Sequence, residues 1–131
     1  MAQTLADYIT PQGDFSTTPL NPDGRRDSNA NFRKLPSDLH EGAHGVLAFT
    51  LHATDPDDLR IQITVSSGSQ EQMIWDMTIN SNVLHTLHRL IPVGILKAGA
   101  QTDATFHLKS GDGGFAAIDN VVLWYQRFAK A

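Results

Sequence analysis

The chain has 131 residues, 40% of them hydrophobic and 18% charged, which is the composition of one ordinary globular domain. Its formal net charge is −4 and its 10 basic residues form no run, so a nucleic acid is not an expected partner. It contains no cysteine, which excludes disulfides, thiolate catalysis and zinc sites built on sulfur. No apolar stretch is long enough for a membrane span, and the first residues lack the pattern of a signal peptide, so cytoplasmic synthesis is the default expectation.

Residues 1–44 are expected to be irregular and to wrap around the core of a single domain, 1–131. The stretch 10–45 holds four prolines and four glycines among many Ser, Thr, Asn and Asp residues, and it shows no periodicity. A long segment of this kind in a compact domain is usually functional or covers the core. Phe15 and Phe32 are the expected anchors of the wrapping segment.

Residues 45–128 are predicted to supply the strands of the domain. In four segments apolar residues alternate with polar ones, as in antiparallel strands with one buried face. The last apolar run, IDNVVLWYQRF from Ile118, is apolar on both faces, which favours a central strand that closes the core. The four alternating segments are GVLAFTLHA from Gly45, LRIQITV from Leu59, QMIWDMTI from Gln72 and DATFHLK from Asp103.

The segment VLHTLHRLI, residues 83–91, fits both a helical stripe and a strand. Pro92 ends any helix there, and the neighbouring alternating segments favour a strand. Residues 93–97 are expected to form a short helical turn or a loop. The pattern as a whole predicts seven or eight strands in an all-β, two-sheet antiparallel β-sandwich of jelly-roll type.

The order of these pieces resembles the galactose-binding-like jelly-roll family of sugar-binding modules. The resemblance covers roughly residues 45–127 and implies both the fold and carbohydrate as a ligand. It is carried by the strands 47–51 and 59–65, the latter followed by SSGS, by IPVGILKAG from Ile91, and by the segments 104–109 and 117–125.

Carbohydrate recognition requires aromatic faces for sugar C–H groups and a few polar side chains for hydroxyls. Trp75 alternates in phase with Met73 and Met77, which favours a core position for it, whereas Trp124 could instead belong to a subunit interface of a homo-oligomer. The candidate ligand-binding residues are Trp75 with Asp76, Trp124 with Gln126 and Arg127, and Arg25 with Asn29.

Two acidic loops are candidates for a structural Ca²⁺, although no cofactor is required by the sequence. Asp55, Asp57 and Asp58 share one turn, and Asp112 lies between glycines, so both loops offer the oxygen ligands that Ca²⁺ prefers. Sugar-binding jelly rolls often carry such an ion, which the resemblance therefore implies. The alternative is an ordinary hairpin turn, since Asp-Pro-Asp-Asp is common turn chemistry. Zinc is disfavoured because the histidine pairs of the chain have no third ligand at a defined spacing.

No catalytic motif is visible in the sequence. A nucleophile elbow, a phosphate-binding loop and a dinucleotide fingerprint are all missing from it. The preferred interpretation is a non-catalytic, lectin-like binding module for carbohydrate. Two alternatives stay open: a structural protein that oligomerises through an exposed sheet face, and a small enzyme whose site cannot be seen in the sequence.

Overall fold

The computed structural model describes residues 3–12, 28–110 and 115–128, with the side chains of 108–110 and 115 left aside. These residues form eight β-strands and no helix. Accordingly, no helix in the described ranges has the length and apolarity needed to cross a membrane. The strands are β1 (Thr4–Ile9), β2 (Ser28–Phe32), β3 (Gly45–Thr54), β4 (Leu59–Ser67), β5 (Gln70–Ile79), β6 (Val83–Ile91), β7 (Thr102–Ser110) and β8 (Phe115–Phe128).

The strands form two four-stranded antiparallel sheets. Sheet 1 has the order β1-β8-β3-β6 and sheet 2 the order β2-β7-β4-β5. Apart from the β4–β5 hairpin, each connection between described strands passes from one sheet to the other, which is the arrangement of an eight-stranded jelly roll. The predicted all-β, two-sheet sandwich is therefore confirmed.

The N-terminal third contributes strands that the sequence pattern did not predict. Within 1–44, β1 pairs with β8 at one edge of sheet 1, and β2 pairs with β7 at one edge of sheet 2. Phe32, at the end of β2, is fully buried as expected for an anchor, whereas Phe15 lies outside the described residues. The domain thus begins with two edge strands, in a region expected to be irregular.

The core lies between the sheets and is built from the alternating apolar positions of the central strands. Phe49 of β3 occupies its middle, with its ring centroid 5.4 Å from Trp75 of β5 and 6.0 Å from Phe106 of β7. Burial of one such side chain contributes about 1.5–3 kcal/mol. The central apolar residues of both sheets, Leu47, Leu51, Ile61, Ile63, Val65, Ile118 and Leu123, are also buried there.

β8 is a central strand of sheet 1, as its apolar sequence predicted. It is 14 residues long and pairs with β1 on one side and β3 on the other. A bulge at Asn120, which has a positive φ of 52°, shifts its register against β3. Both edges of β8 are hydrogen-bonded to neighbouring strands. On each side of the bulge, its side chains alternate between the core and the outer face of sheet 1.

The ambiguous segment 83–91 is a strand, β6, as favoured from the sequence. It lies at the edge of sheet 1 opposite β1. Residues 92–100 follow it as a series of turns without a helix, so the loop alternative is confirmed for this connection.

Candidate functional site

The outer face of sheet 1 carries an apolar row that crosses all four strands. The backbone register places Tyr8 beside Trp124, Trp124 beside Val46, and Val46 beside Leu90. With neighbouring strands about 4.8 Å apart, the row is about 14 Å wide. Tyr8 is 56% exposed, Trp124 42% and Leu90 60%, so three of its four members face solvent. We call these four residues the apolar row.

Tyr8 and Trp124 form an exposed aromatic pair at one end of this row. Their ring centroids are 5.0 Å apart and their planes are tilted by 48°, an ordinary contact between aromatic side chains. Gln126 and Phe128 follow Trp124 on the same face of β8, and both are exposed. Phe128 lies against His40, with a centroid distance of 4.6 Å. Aromatic and amide groups therefore alternate along the end of this strand.

A polar pocket of about 420 Å³ opens beside Tyr8, which we call the Tyr8 pocket. It lies where β1 and β2 end, at one edge of the sandwich. The backbone N–H of Gln12 donates to the carbonyl oxygen of Asn31 at 2.8 Å and so fixes the segment after β1 against sheet 2. The pocket is lined by Tyr8, Ile9, Thr10, Pro11, Gln12, Arg33 and Tyr125.

Tyr125 lies between the core and this pocket. Its side chain is largely buried, and burial together with the nearby Asp7 carboxylate raises the pKa of the phenol. The hydroxyl is therefore protonated at any pH near neutrality and is available as a hydrogen-bond donor.

Arg127 was a candidate ligand-binding residue, but its side chain points away from Trp124. Its Nη2 donates to Oδ2 of Asp38 at 2.7 Å, and its Nη1 to Oδ2 of Asp7 at 3.3 Å. Arg127 thus ties β8 to β1 and to the segment before β3. With both carboxylates engaged, its guanidinium is occupied by structural contacts.

The outer face of sheet 2 has a different chemistry, based on paired polar groups. The carboxylate of Asp76 accepts hydrogen bonds from Nε and Nη2 of Arg60 at 2.9 and 2.7 Å, and from Nε2 of Gln62 at 3.0 Å. The bonds from Arg60 and then from Gln62 lower the pKa of Asp76 to about 2. This candidate residue is therefore an ionised carboxylate that already has partners within the sheet.

Trp75 is a core residue, as favoured from the sequence, although Met73 and Met77, with which it alternates there, are 45% and 42% exposed. A register shift between β4 and β5 places Met73 opposite Thr64, whereas Trp75 lies opposite the buried Ile63. Only 6% of the surface of Trp75 is exposed, and its ring packs on Phe49. The guanidinium carbon of Arg89 lies 5.4 Å from the ring centroid on another side, in cation–π geometry. No face of this ring is available for a sugar.

Neither of the two remaining ligand-binding candidates is placed beside Trp124 by the described residues. Asn29 lies on β2 in sheet 2, where its Oδ1 accepts a hydrogen bond from Thr105 at 3.5 Å. Arg25 lies outside the described residues. Of the predicted ligand residues that the structure describes, it brings together only Trp124 and Gln126.

The acidic turn between β3 and β4 is organised by backbone hydrogen bonds. Asp55 and Asp58 both adopt a positive φ of 49°, and their N–H groups donate to the side-chain oxygens of Asn82 and Asn80 at 2.6 and 2.7 Å. Asp57 lies on the same turn. In the described ranges, no group of three or more His, Cys, Asp or Glu side chains is placed to hold a metal ion. Asp112 lies outside these ranges, so Ca²⁺ binding stays a prediction.

Sequence reasoning missed Tyr8 and Arg33. A signal for Tyr8 was present in TLADYI, where Leu5, Asp7 and Ile9 alternate with Ala6 and Tyr8. That alternation is short and chemically mixed, so it was indistinguishable from irregular sequence. The sequence around Arg33 gave no indication of a site, because Arg33 lines the pocket only through the folding of the end of β1 beside it.

A second cavity, of about 280 Å³, opens between the edge strands β5 and β6. Its walls include the aliphatic side chains of Leu51, Ile79 and Leu87, together with Met77. None of its described lining residues is Trp, Tyr or Phe, so these residues offer no aromatic platform for stacking a sugar.

Comparison with known proteins identifies the fold. No family model matches the chain, and no curated protein matches it. Among solved structures, it is similar to a β-porphyranase of glycoside hydrolase family 86 from the human gut bacterium Bacteroides plebeius, with a TM-score of 0.66 and 8% identity. That similarity covers 99% of this chain and 22% of the enzyme, so the chain spans about a fifth of the enzyme's length.

Carbohydrate-binding modules are also among the structural neighbours. A structure of a family 4 module has a TM-score of 0.50 and 15% identity, and the match covers 93% of this chain and 82% of the module. The jelly-roll resemblance is thereby confirmed as a resemblance of fold. A structure of infectious bursal disease virus has the same TM-score of 0.50 at 11% identity, covering 95% of this chain and 33% of the viral one. The fold alone therefore does not select a ligand.

Proposed function

We propose that this chain is a non-catalytic carbohydrate-binding module whose glycan-binding surface is the Tyr8–Trp124 pair together with the Tyr8 pocket. The observation that carries the proposal is the exposure of two neighbouring aromatic rings on a rigid sheet, directly beside a polar cavity. Sugars offer apolar C–H faces and many hydroxyls, and they bind where aromatic rings adjoin hydrogen-bonding groups. The fold of the chain, which carbohydrate-binding modules share, supports the same conclusion.

The polar groups around the pair complement the rings. Gln126 is exposed beside Trp124, and its side-chain amide can both donate and accept hydrogen bonds. On the other side of Tyr8, the pocket offers the amide of Gln12 and the phenol of Tyr125. A glycan residue stacked on Tyr8 would thus meet hydrogen-bonding groups on two sides.

The position of the pair on paired strands supplies rigidity. Tyr8 and Trp124 are on adjacent strands in direct register, and β8 is also bonded to β3. Rings held in this way lose little further conformational freedom when a ligand binds, which favours affinity.

The proposal is tested by measuring the affinity of the chain for a panel of soluble polysaccharides and oligosaccharides by titration calorimetry. We expect Trp124→Ala and Tyr8→Ala each to weaken binding at least about tenfold, which corresponds to about 1.4 kcal/mol. The matched control is Met73→Ala, because Met73 is 45% exposed, like Trp124, but lies on the outer face of sheet 2. Absence of binding to every glycan, or an equal loss in the Met73 variant, would contradict the proposal.

A second candidate function is self-assembly through the outer face of sheet 1. It is favoured by the continuation of the apolar row beyond the aromatic pair to Val46 and Leu90, farther than one sugar ring requires. Exposed apolar rows of this kind often mark subunit interfaces. Sedimentation at increasing protein concentration tests it: assembly should be disrupted by Leu90→Lys, and a strict monomer at all concentrations would rule it out.

A further inference from the structure

Among the described residues that line the Tyr8 pocket, one is charged, and its charge is positive. That residue is Arg33, and the other described lining residues carry aromatic, aliphatic or neutral polar side chains. Because Arg33 directly follows β2 and Tyr8 lies on β1, both edges of the pocket are fixed by sheet pairing.

Arg33 has no carboxylate partner among the described residues. This distinguishes it from Arg60 and Arg127, whose guanidinium groups are held by Asp76 and by Asp38 and Asp7. Its planar fork of N–H donors is therefore free to bind an anion with two parallel hydrogen bonds.

Two carboxylates that act on Tyr125, those of Asp7 and Asp38, already have a cationic partner in Arg127. Asp7 influences Tyr125 on the core side of the pocket, but its carboxylate is paired with Nη1 of Arg127 at 3.3 Å. Tyr125 itself, with a raised pKa, stays neutral. Among the described residues, the lining of the pocket is thus neutral apart from Arg33, a cation without an ion pair there.

We infer that the site selects acidic glycans, with a sugar carboxylate or sulfate bound by Arg33 and the sugar ring placed against Tyr8. This inference rests on the proposed carbohydrate-binding function and specifies its ligand class. Carboxylates and sulfates both present two oxygens at a spacing that suits a guanidinium, so either group satisfies the geometry. Gln12 and Tyr125 then serve the neighbouring hydroxyls.

The test compares three sets of oligosaccharides of equal length, which are neutral, uronate-containing and sulfated. We expect at least one anionic set to bind tenfold or more tightly than the neutral set, with an affinity that falls as salt is added. The relative affinity of the uronate and sulfated sets identifies which anion is preferred.

Variants assign this preference to Arg33. Arg33→Gln should abolish the preference for anionic over neutral glycans, whereas Arg33→Lys should retain part of it. The matched control is Lys34→Gln, since Lys34 is an exposed neighbouring cation that is not among the residues lining the pocket and has no ion pair with a described residue. Thermal melting of each variant verifies that it is folded.

The outcomes separate the two proposals. Equal binding of neutral and anionic glycans that still depends on Trp124 would overturn the charge preference and leave the carbohydrate-binding function in place. An equal loss in the Lys34 and Arg33 variants would also overturn it, because attraction would then be non-specific. Absence of binding to all three sets would overturn both.

Discussion

The outer faces of the two sheets offer the same pleated scaffold with opposite surface chemistry. On sheet 1, Tyr8, Trp124 and Leu90 expose apolar surface, and the rings of Tyr8 and Trp124 contact one another. On sheet 2, Arg60, Gln62 and Asp76 are joined by hydrogen bonds. A surface whose polar groups already have partners gains little from a ligand, because each new bond replaces an existing one.

The contrast between the two outer faces shows where a ligand could gain free energy by binding. Covering the apolar row removes hydrocarbon surface from water without desolvating an ion pair. Covering the Asp76 cluster would desolvate an ion pair whose charges are already satisfied, which costs free energy. A ligand that exploits both apolar and polar contacts is therefore expected at sheet 1, beside the Tyr8 pocket.

The largest expected effect comes from removing the strand that carries the apolar row. Truncation before Ile118 deletes most of β8, which pairs with β1 and β3. The lost residues include buried Ile118, Leu123 and Tyr125, each worth about 1.5–3 kcal/mol, against a typical domain stability of about 5–15 kcal/mol. We expect the truncated chain to show no cooperative thermal transition by circular dichroism.

The control for the truncation is full-length Trp124→Ala, which removes an exposed ring and keeps the strand. It should melt cooperatively, so that the two variants separate the structural role of β8 from the proposed binding role of its outer face. A truncated chain that still melts cooperatively would show that β8 is dispensable for the core.

An intermediate effect is expected from the contact between the two rings of the row. A double-mutant cycle with Tyr8→Ala and Trp124→Ala, measured by urea unfolding, should give a coupling free energy of about 0.5–1.5 kcal/mol. The comparison cycle joins Tyr8→Ala to Met73→Ala, on the outer faces of opposite sheets, and should be additive within about 0.5 kcal/mol. Additive behaviour of the aromatic pair would mean that the rings do not stabilise one another.

Much of the sandwich could be predicted from the sequence because its central strands carry their burial pattern locally. The alternation around Phe49 and Ile63 and the apolar run of β8 each indicate a strand without knowledge of the rest of the fold. A core position was also favoured for Trp75, whereas the sequence did not decide between a ligand-binding surface and a subunit interface for Trp124. Period-two patterning is a property of a few consecutive residues, so one segment is enough to reveal it.

The site could be predicted only in part, because it is assembled by strand register. Trp124 and Gln126 were found together since they are neighbours along one face of β8. Tyr8 joins them only because β1 pairs with β8 in a register that sets residues 8 and 124 side by side, more than 100 positions apart in sequence. Arg127 was grouped with Trp124 by adjacency, although consecutive residues of a strand point to opposite faces.

The smallest expected effect concerns the hydrogen-bonded Asp76 on the outer face of sheet 2. Its contribution to the stability of the fold should depend on pH. In the folded chain the pKa of Asp76 is about 2, below its ordinary value of 3.8, because Arg60 and Gln62 bond to the ionised form. A lowered pKa stabilises the fold at pH values above the ordinary one, and this contribution is lost as the pH falls toward and through about 2.

Comparison of the wild type with Asp76→Asn isolates this contribution. The melting temperature of the wild type should exceed that of the variant by a small, constant amount from about pH 5 to 7, since exposed ion pairs contribute little, and the gap should close on acidification. Met73→Ala, on the same face but without a titrating group, should differ from the wild type by the same amount at every pH. A melting-temperature difference that widens in acid would mean that the ionised carboxylate of Asp76 destabilises the fold. The outer face of sheet 2 would then resemble that of sheet 1, as a surface that is stabilised when a partner covers it.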